Sequence, residues 1–320
     1  MGMLIHTSDG EAVAILAAMR DVAGTGTGLS ETDRASLDAA GRYILARPGP
    51  VDADSLPPMD PAALAQALAS PDLRTEAARF ATVMAFVDGQ LDGGKMRRAL
   101  AYARALDVDE DYVAEIAQAA DGRLRAALAH MVRDNMESVT GRAWTGPAAS
   151  LDADIMAWML PYREAPDPGL AARFRALADL PDASFGRQLL AHFDANGYAL
   201  PGEADGLNAA FSLPHDAAHV FAGYDTDPRG ELLVSTFTAG MHPVHPLSGH
   251  ILPVIFSWHL GIRINDVAKS ATGALDPEGF WQAWARGRRM KVDIFAPDWD
   301  FWAWAEQPLD LLRARYLDEG

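Results

Sequence analysis

The chain has 320 residues, enough for two domains of ordinary size, and 49% are hydrophobic against 22% charged, the balance of a globular protein with a packed core. A formal net charge of −17 excludes the basic footprint that nucleic-acid binding needs and argues against general adsorption to an anionic membrane. With no cysteine there is neither a disulfide framework nor a thiolate metal site, so any metal must be held by nitrogen and oxygen.

The first six residues carry no basic region followed by a long apolar run, which does not fit a secretory signal. The longest apolar run, 251–262, contains Pro253 and His259 and is too short to span a bilayer, so a cytoplasmic protein is expected. Gly24-Thr25-Gly26-Thr27-Gly28 reads as a loop before a helix capped by Ser30. It is not a phosphate loop, because no strand precedes it and no Gly-Lys-Ser/Thr follows. Apolar residues at three- and four-residue spacing predict helices over 37–46, 61–68, 73–89, 94–106, 111–120 and 124–136. Pro48-Gly49-Pro50, Pro57-Pro58, Asp92-Gly93-Gly94 and Asp121-Gly122 separate them. Alternating β-branched runs are nearly absent, so the fold class is all-α. Residues 140–150, with Gly141, Gly146 and Pro147, read as a linker between two helical domains, 1–145 and 150–320, each with enough apolar helix for a core.

In the first of these, Phe80-Ala81-Thr82-Val83-Met84-Ala85-Phe86-Val87-Asp88-Gly89-Gln90-Leu91-Asp92 precedes a helix through Met96, Leu100, Tyr102 and Leu106. This stretch resembles the TerB-like tellurite-resistance helical domain, which implies an accessory helical bundle. In that family a Glu commonly follows the Asp-Gly corner; here Lys95 stands in that region.

The chemistry-bearing motif is His215-Asp216-Ala217-Ala218-His219, followed twelve residues later by Glu231. Two histidines four apart share one helical face, and Asp216 and Glu231 complete a set of four candidate ligands for a divalent cation. Asp216 lies about 100° around the axis, where it ligates at the edge or orients a ligand. The residue after the first histidine is Asp, a carbon shorter than the Glu base of metalloproteases. Nor is the pattern a good match to the HD phosphohydrolases, for whose separate upstream histidine His192 is only a loose candidate. Pro214 suits a first turn, so the motif helix is expected to begin there, end at Gly223, and give way to a turn over 225–230 and a second helix opened by Glu231. Mixed N and O ligands suit zinc first, with Mn, Fe, Co or Mg also compatible.

Four stretches together resemble the coenzyme Q (ubiquinone) biosynthesis protein 4 family over about 150–318. They are Leu180-Pro181-Asp182-Ala183-Ser184-Phe185-Gly186-Arg187; the metal motif running through Gly223-Tyr224-Asp225-Thr226 to Gly230-Glu231-Leu232; the apolar run 251–262; and Val292-Asp293-Ile294-Phe295-Ala296-Pro297-Asp298-Trp299-Asp300, closing on Pro308-Leu309 and Leu312-Arg313. The segment Met241-His242-Pro243-Val244-His245-Pro246 departs from the family. The resemblance implies a metal-dependent oxidative decarboxylation at C1 of a polyprenylated 4-hydroxybenzoate ring, with one divalent ion held by His215, Asp216, His219 and Glu231.

Such a substrate needs an apolar groove for its tail, for which 251–258 and Trp281, Trp284, Trp299, Trp302 and Trp304 are candidates; ordinary core is the other reading. Arg286, Arg288, Arg289 and Lys291 beside Trp281 and Trp284 form a basic-aromatic cluster that suits a membrane interface, an acidic partner such as another ubiquinone-biosynthesis protein, or a solvated helix face. An oligomer is compatible with the sequence. The alternative to an enzyme is a noncatalytic prenyl-lipid carrier or scaffold with a structural metal.

Overall fold

The computed structural model describes residues 6–26, 28–143, 151–264 and 270–318. Among them there is no β-strand, only three isolated bridges, and the chain is all-helical. The first seven helices are α1 (Asp9–Ala23), α2 (Glu31–Tyr43), α3 (Pro61–Ala67), α4 (Pro71–Val83), α5 (Gly93–Ala105), α6 (Asp111–Ala120) and α7 (Leu124–Thr140). Then come α8 (Leu151–Met159), α9 (Pro168–Arg175), α10 (Phe185–Asn196), α11 (Ala209–Ala222) and α12 (Pro228–Met241). Two π-helical turns, Pro246–Ile251 and Ile255–His259, flank α13 (Leu252–Val254), and α14 (Pro277–Arg288) and α15 (Leu309–Tyr316) close the fold.

Local chemistry explains most starts and stops. Ser8 with Glu11 and Ser30 with Asp33 make capping boxes for α1 and α2. Asp60, Ser70, Asp167 and Asp227 each cap a helix whose first turn carries a proline, where the missing N–H costs nothing. α2 therefore begins at its cap, six residues before the predicted 37–46. The predicted 73–89 helix ends at Val83, and the chain turns over to Gly89, whose φ is +74°.

The apolar core is built in two large parts that meet on a common wall, with a small third cluster of Val132, Met136, Ile155 and Met159 between α7 and α8. The first gathers α1, α2, α4 and α5 around Phe80 and Phe86, together with Leu232, Ala239, Leu247, Ile251, Phe256, Trp281 and Trp284. The second joins Phe174, Phe185, Phe193, Phe221, Phe301 and Trp304 to Leu233, Val234, Phe237 and Ala283. α12 and α14 thus present one face to each part. Phe80 meets Trp281 and Trp284 edge-on at centroid distances of 5.4 and 5.2 Å. The expected linker lies partly outside the described residues, and the core does not divide there, because α12 and α14 complete the packing of the N-terminal helices.

This packing decides the fate of the predicted groove. Ile251, Leu252, Ile255, Phe256, Trp281 and Trp284 are buried core. Trp304 stacks on Tyr316 at 4.5 Å and Trp302 lies under Arg173, so the apolar run and most of the tryptophans hold the fold together. Two of the basic cluster turn inward: Arg286 donates to the Ala222 carbonyl and the Tyr224 hydroxyl, and Arg288 pairs with Glu76, whereas Lys291 is exposed. In the TerB-like stretch, Lys95 is buried with its Nζ 2.6 Å from Asp88 Oδ2, so a cation already neutralises the Asp-Gly corner. No helix among the described residues is long and apolar enough to cross a membrane.

Candidate metal centre

α11 starts at Ala209, capped by Asn208, five residues before the proline expected to open it, and Pro214 sits inside the helix. Gly223, with φ +77°, ends it in the left-handed conformation that a residue with a Cβ adopts only at a cost. The chain then reaches Asp227, whose side chain caps α12, and Glu231 falls in the first turn of α12. The short connection from Gly223 to Asp227 brings that turn against His215 and His219.

The structure gathers three of the four predicted ligands. One ligand atom each from His215, His219 and Glu231 lies within 4.8 Å of the others. Glu231 Oε2 is 3.6 Å from His215 Nε2, and Oε1 is 3.7 Å from His219 Nε2. These gaps are too long for good hydrogen bonds. They are close to the roughly 3.4 Å separating two ligands that each sit about 2.1 Å from a tetrahedral ion.

His219 is the best-defined member. Its ring is buried, and Nδ1 lies 3.0 Å from the Tyr224 carbonyl. A carbonyl can only accept, so Nδ1 carries a proton, and in the neutral ring Nε2 carries the lone pair. That buried Nε2 has no hydrogen-bond partner among the described residues. An imidazole oriented through Nδ1 by a backbone carbonyl, with Nε2 free and facing a carboxylate, is the arrangement of a metal-ligating histidine. His215, 22% exposed, stacks on Phe211 at 5.3 Å and meets the His219 ring edge-on at 4.9 Å.

Electrostatics follow from the same packing. Burial opposes ionisation of Glu231, but the two imidazoles outweigh it and hold the carboxyl well below its ordinary range. Burial likewise pushes the His215 imidazole down, yet Glu231 and then Asp216 more than compensate, and the net shift is upward. The residues therefore fit a divalent cation: two imidazoles and a carboxylate held ionised, with one buried nitrogen unsatisfied without it.

Asp216 does not join the three, which corrects the four-ligand expectation. One position on from His215, it lies outside the group of three, and its Oδ1 lies 3.3 Å from His192 Nε2. The His192 ring stacks on His219 at 5.5 Å and an interplanar angle of 26°. Asp216 thus meets the centre through His192, which the sequence offered only as a loose candidate for an upstream histidine.

A cavity of about 820 Å³ opens between the C-terminal end of α7, α8, the start of α11 and the loop carrying Ile294 to Trp299. Trp158, Leu213, Phe295 and Trp299 give it apolar walls, with Arg142 and Asp154 at its polar margin. It reaches Leu213 and Pro214, the two residues before His215. Of the five tryptophans expected to line a groove, only Trp299 does so. Comparison with family models, with curated proteins and with solved structures finds no match to this chain.

Proposed function

We propose that this protein is a metal-dependent enzyme of ubiquinone biosynthesis that decarboxylates and hydroxylates C1 of a polyprenylated 4-hydroxybenzoate-type ring. The observation that carries the metal part is the His219 imidazole, with Nδ1 committed to the Tyr224 carbonyl and its buried Nε2 unpartnered beside Glu231. The substrate class rests on the resemblance to the coenzyme Q protein 4 family, supported by an apolar cavity reaching the start of the motif.

In the overall change the ring carboxyl leaves as CO₂ and a hydroxyl takes its place, a two-electron oxidation in which the ring acid, O₂ and water give the phenol, CO₂ and hydrogen peroxide. A divalent ion on His215, His219 and Glu231, zinc or one of its neighbours, would supply a Lewis acid for the ring carboxylate or phenolate. The chain's own contributions are positional. Glu231 stays charged between the imidazoles, Tyr224 and His192 fix the His219 ring, and the walls of the cavity take the isoprenoid tail and exclude water. A substrate of this kind partitions into lipid, so the protein would work in the cytoplasm at the membrane surface, beside other enzymes of the pathway.

The test turns on Glu231→Gln, which keeps the volume and an oxygen donor but removes the charge. In a ubiquinone-deficient host lacking the C1 step, the wild-type chain should restore ubiquinone. The variant should fail and accumulate the carboxylated prenyl precursor. If both restore it equally, the chain is a lipid carrier whose metal is structural. If neither does, the substrate assignment is wrong while the metal centre stands.

A further inference from the structure

We propose a second divalent-cation site, distinct from the first, where α6, α7 and the turn after α12 converge on Asp111, Asp134 and His245. One ligand atom from each lies within 4.8 Å of the others. His245 Nδ1 is 2.9 Å from Asp111 Oδ2 and 3.7 Å from Asp134 Oδ2, and its Nε2 is 3.6 Å from Glu137 Oε2.

The observation that points to an ion is Asp134. Its side chain is 1% exposed, and Oδ2, the oxygen facing His245, has no hydrogen-bond partner among the described residues. Arg133 reaches only the other oxygen, at 3.2 Å. Glu115, equally buried, has its carboxyl pushed up to about 9 by burial and then by Asp134, so it stays a neutral acid beside Asp134 and adds no charge of its own. A bare buried carboxylate oxygen is costly unless something positive meets it, and the cluster gathers several carboxylates around one imidazole.

The backbone is built to deliver His245 there. His245 takes a left-handed conformation, φ +46° and ψ +47°, which turns the chain at the end of the His242–Pro246 segment. Gly249 then sits so close to α7 that a Cβ would lie 3.1 Å from the Asp134 carbonyl and from His245 Cβ, and Asn135 Nδ2 ties the Gly249 carbonyl at 2.7 Å. A cavity of about 140 Å³, bordered by Asp111, Tyr112, Pro243, His245 and Ser248, leads in from the surface. Two carboxylates with one imidazole favour Mn²⁺ or Zn²⁺ over Ca²⁺, which takes oxygen alone. The two groups share no residue, Glu231 lying in the first turn of α12 and His245 beyond its end, so each would hold its own ion.

The experiment is a Mn²⁺ titration of the chelator-stripped, full-length protein, read by electron paramagnetic resonance and equilibrium dialysis. The wild-type chain should bind two equivalents. His245→Ala and Asp111→Asn should each lose one, or weaken it at least tenfold, and keep the other. His215→Ala/His219→Ala should show the reverse. Asp111 is 55% exposed, so its variant reports even if His245→Ala folds poorly. Two equivalents bound with wild-type affinity in both His245→Ala and Asp111→Asn would overturn the proposal. So would a wild-type stoichiometry of one that vanishes in His215→Ala/His219→Ala. A single equivalent lost only in His245→Ala would support it and sink the first centre instead.

Discussion

Trp281 and Ser36 lie 245 positions apart in the chain and are joined inside the core by an indole N–H donating to Oγ at 2.7 Å. That bond ties α14 to α2 across the division the sequence suggested. A fragment beginning near residue 150 would expose Trp281, Trp284 and Phe256, all buried in the whole chain. The full chain should unfold in one cooperative urea transition. The fragment should show red-shifted tryptophan emission and no transition. A cooperative fragment with wild-type emission would mean the C-terminal segment completes its own core.

The crossing of α12 and α14 depends on two glycines. A Cβ at Gly287 would lie 2.0 Å from the Phe237 carbonyl oxygen, and one at Gly240 would lie 2.4 Å from that of Trp284. Gly287→Ala must therefore push the helices apart, at a cost of about 2–3 kcal/mol. Because α12 carries Glu231, the same shift should weaken metal binding as well as stability. Gly10→Ala, where an added Cβ meets nothing within 4 Å, is the control and should be neutral or slightly stabilising in urea unfolding. Equal midpoints for the two variants would show that the crossing has slack.

Much of this was legible in local spacing, and what was missed has identifiable causes. His215 and His219 announce themselves because an i, i+4 pair needs only one helix, and the cap at Ser30 needs only three more residues. α1 did not, because Ala12, Ile15, Leu16, Met19 and Val22 are buried along with the alanines between them, and a helix apolar on most sides shows no stripe. Pro214 misled because proline usually opens a helix; here one turn of helix precedes it. His192 against Asp216, and His245 between Asp111 and Asp134, are meetings of separate elements that no spacing rule encodes.

His250 gives the fold an acid-sensitive point. It is buried against Ser138 Oγ at 2.6 Å, and burial, then His242, His215 and His245, push its imidazole down to about 3. A histidine depressed on folding takes its proton in the unfolded chain first, so stability is present above about pH 6.5 and is lost as pH falls towards 3. Between pH 7 and pH 5 that loss should be about 2 kcal/mol. In EDTA, urea midpoints at the two pH values should diverge more for the wild type than for His250→Gln. An unchanged divergence in the variant would place the acid sensitivity elsewhere.

The large cavity is where substrate length can be separated from metal chemistry. Ala210 is exposed on its lining at the start of α11, about one turn before His215. Ala210→Trp fills space next to Trp158 and Trp299 without touching His215, His219 or Glu231. Metal content should stay at the wild-type level, because the ligand set and the Tyr224 hold on His219 are untouched. Binding of a 4-hydroxybenzoate carrying an isoprenoid tail should weaken at least tenfold, since each buried methylene is worth about 0.8 kcal/mol and the tail loses its wall. 4-Hydroxybenzoate itself, having no tail, should bind the variant and the wild type alike. If the tailed compound binds both equally in calorimetry, the tail lies elsewhere and the cavity serves another ligand. If the bare ring is the one that weakens, the cavity holds the ring, and the tail must leave it by another route.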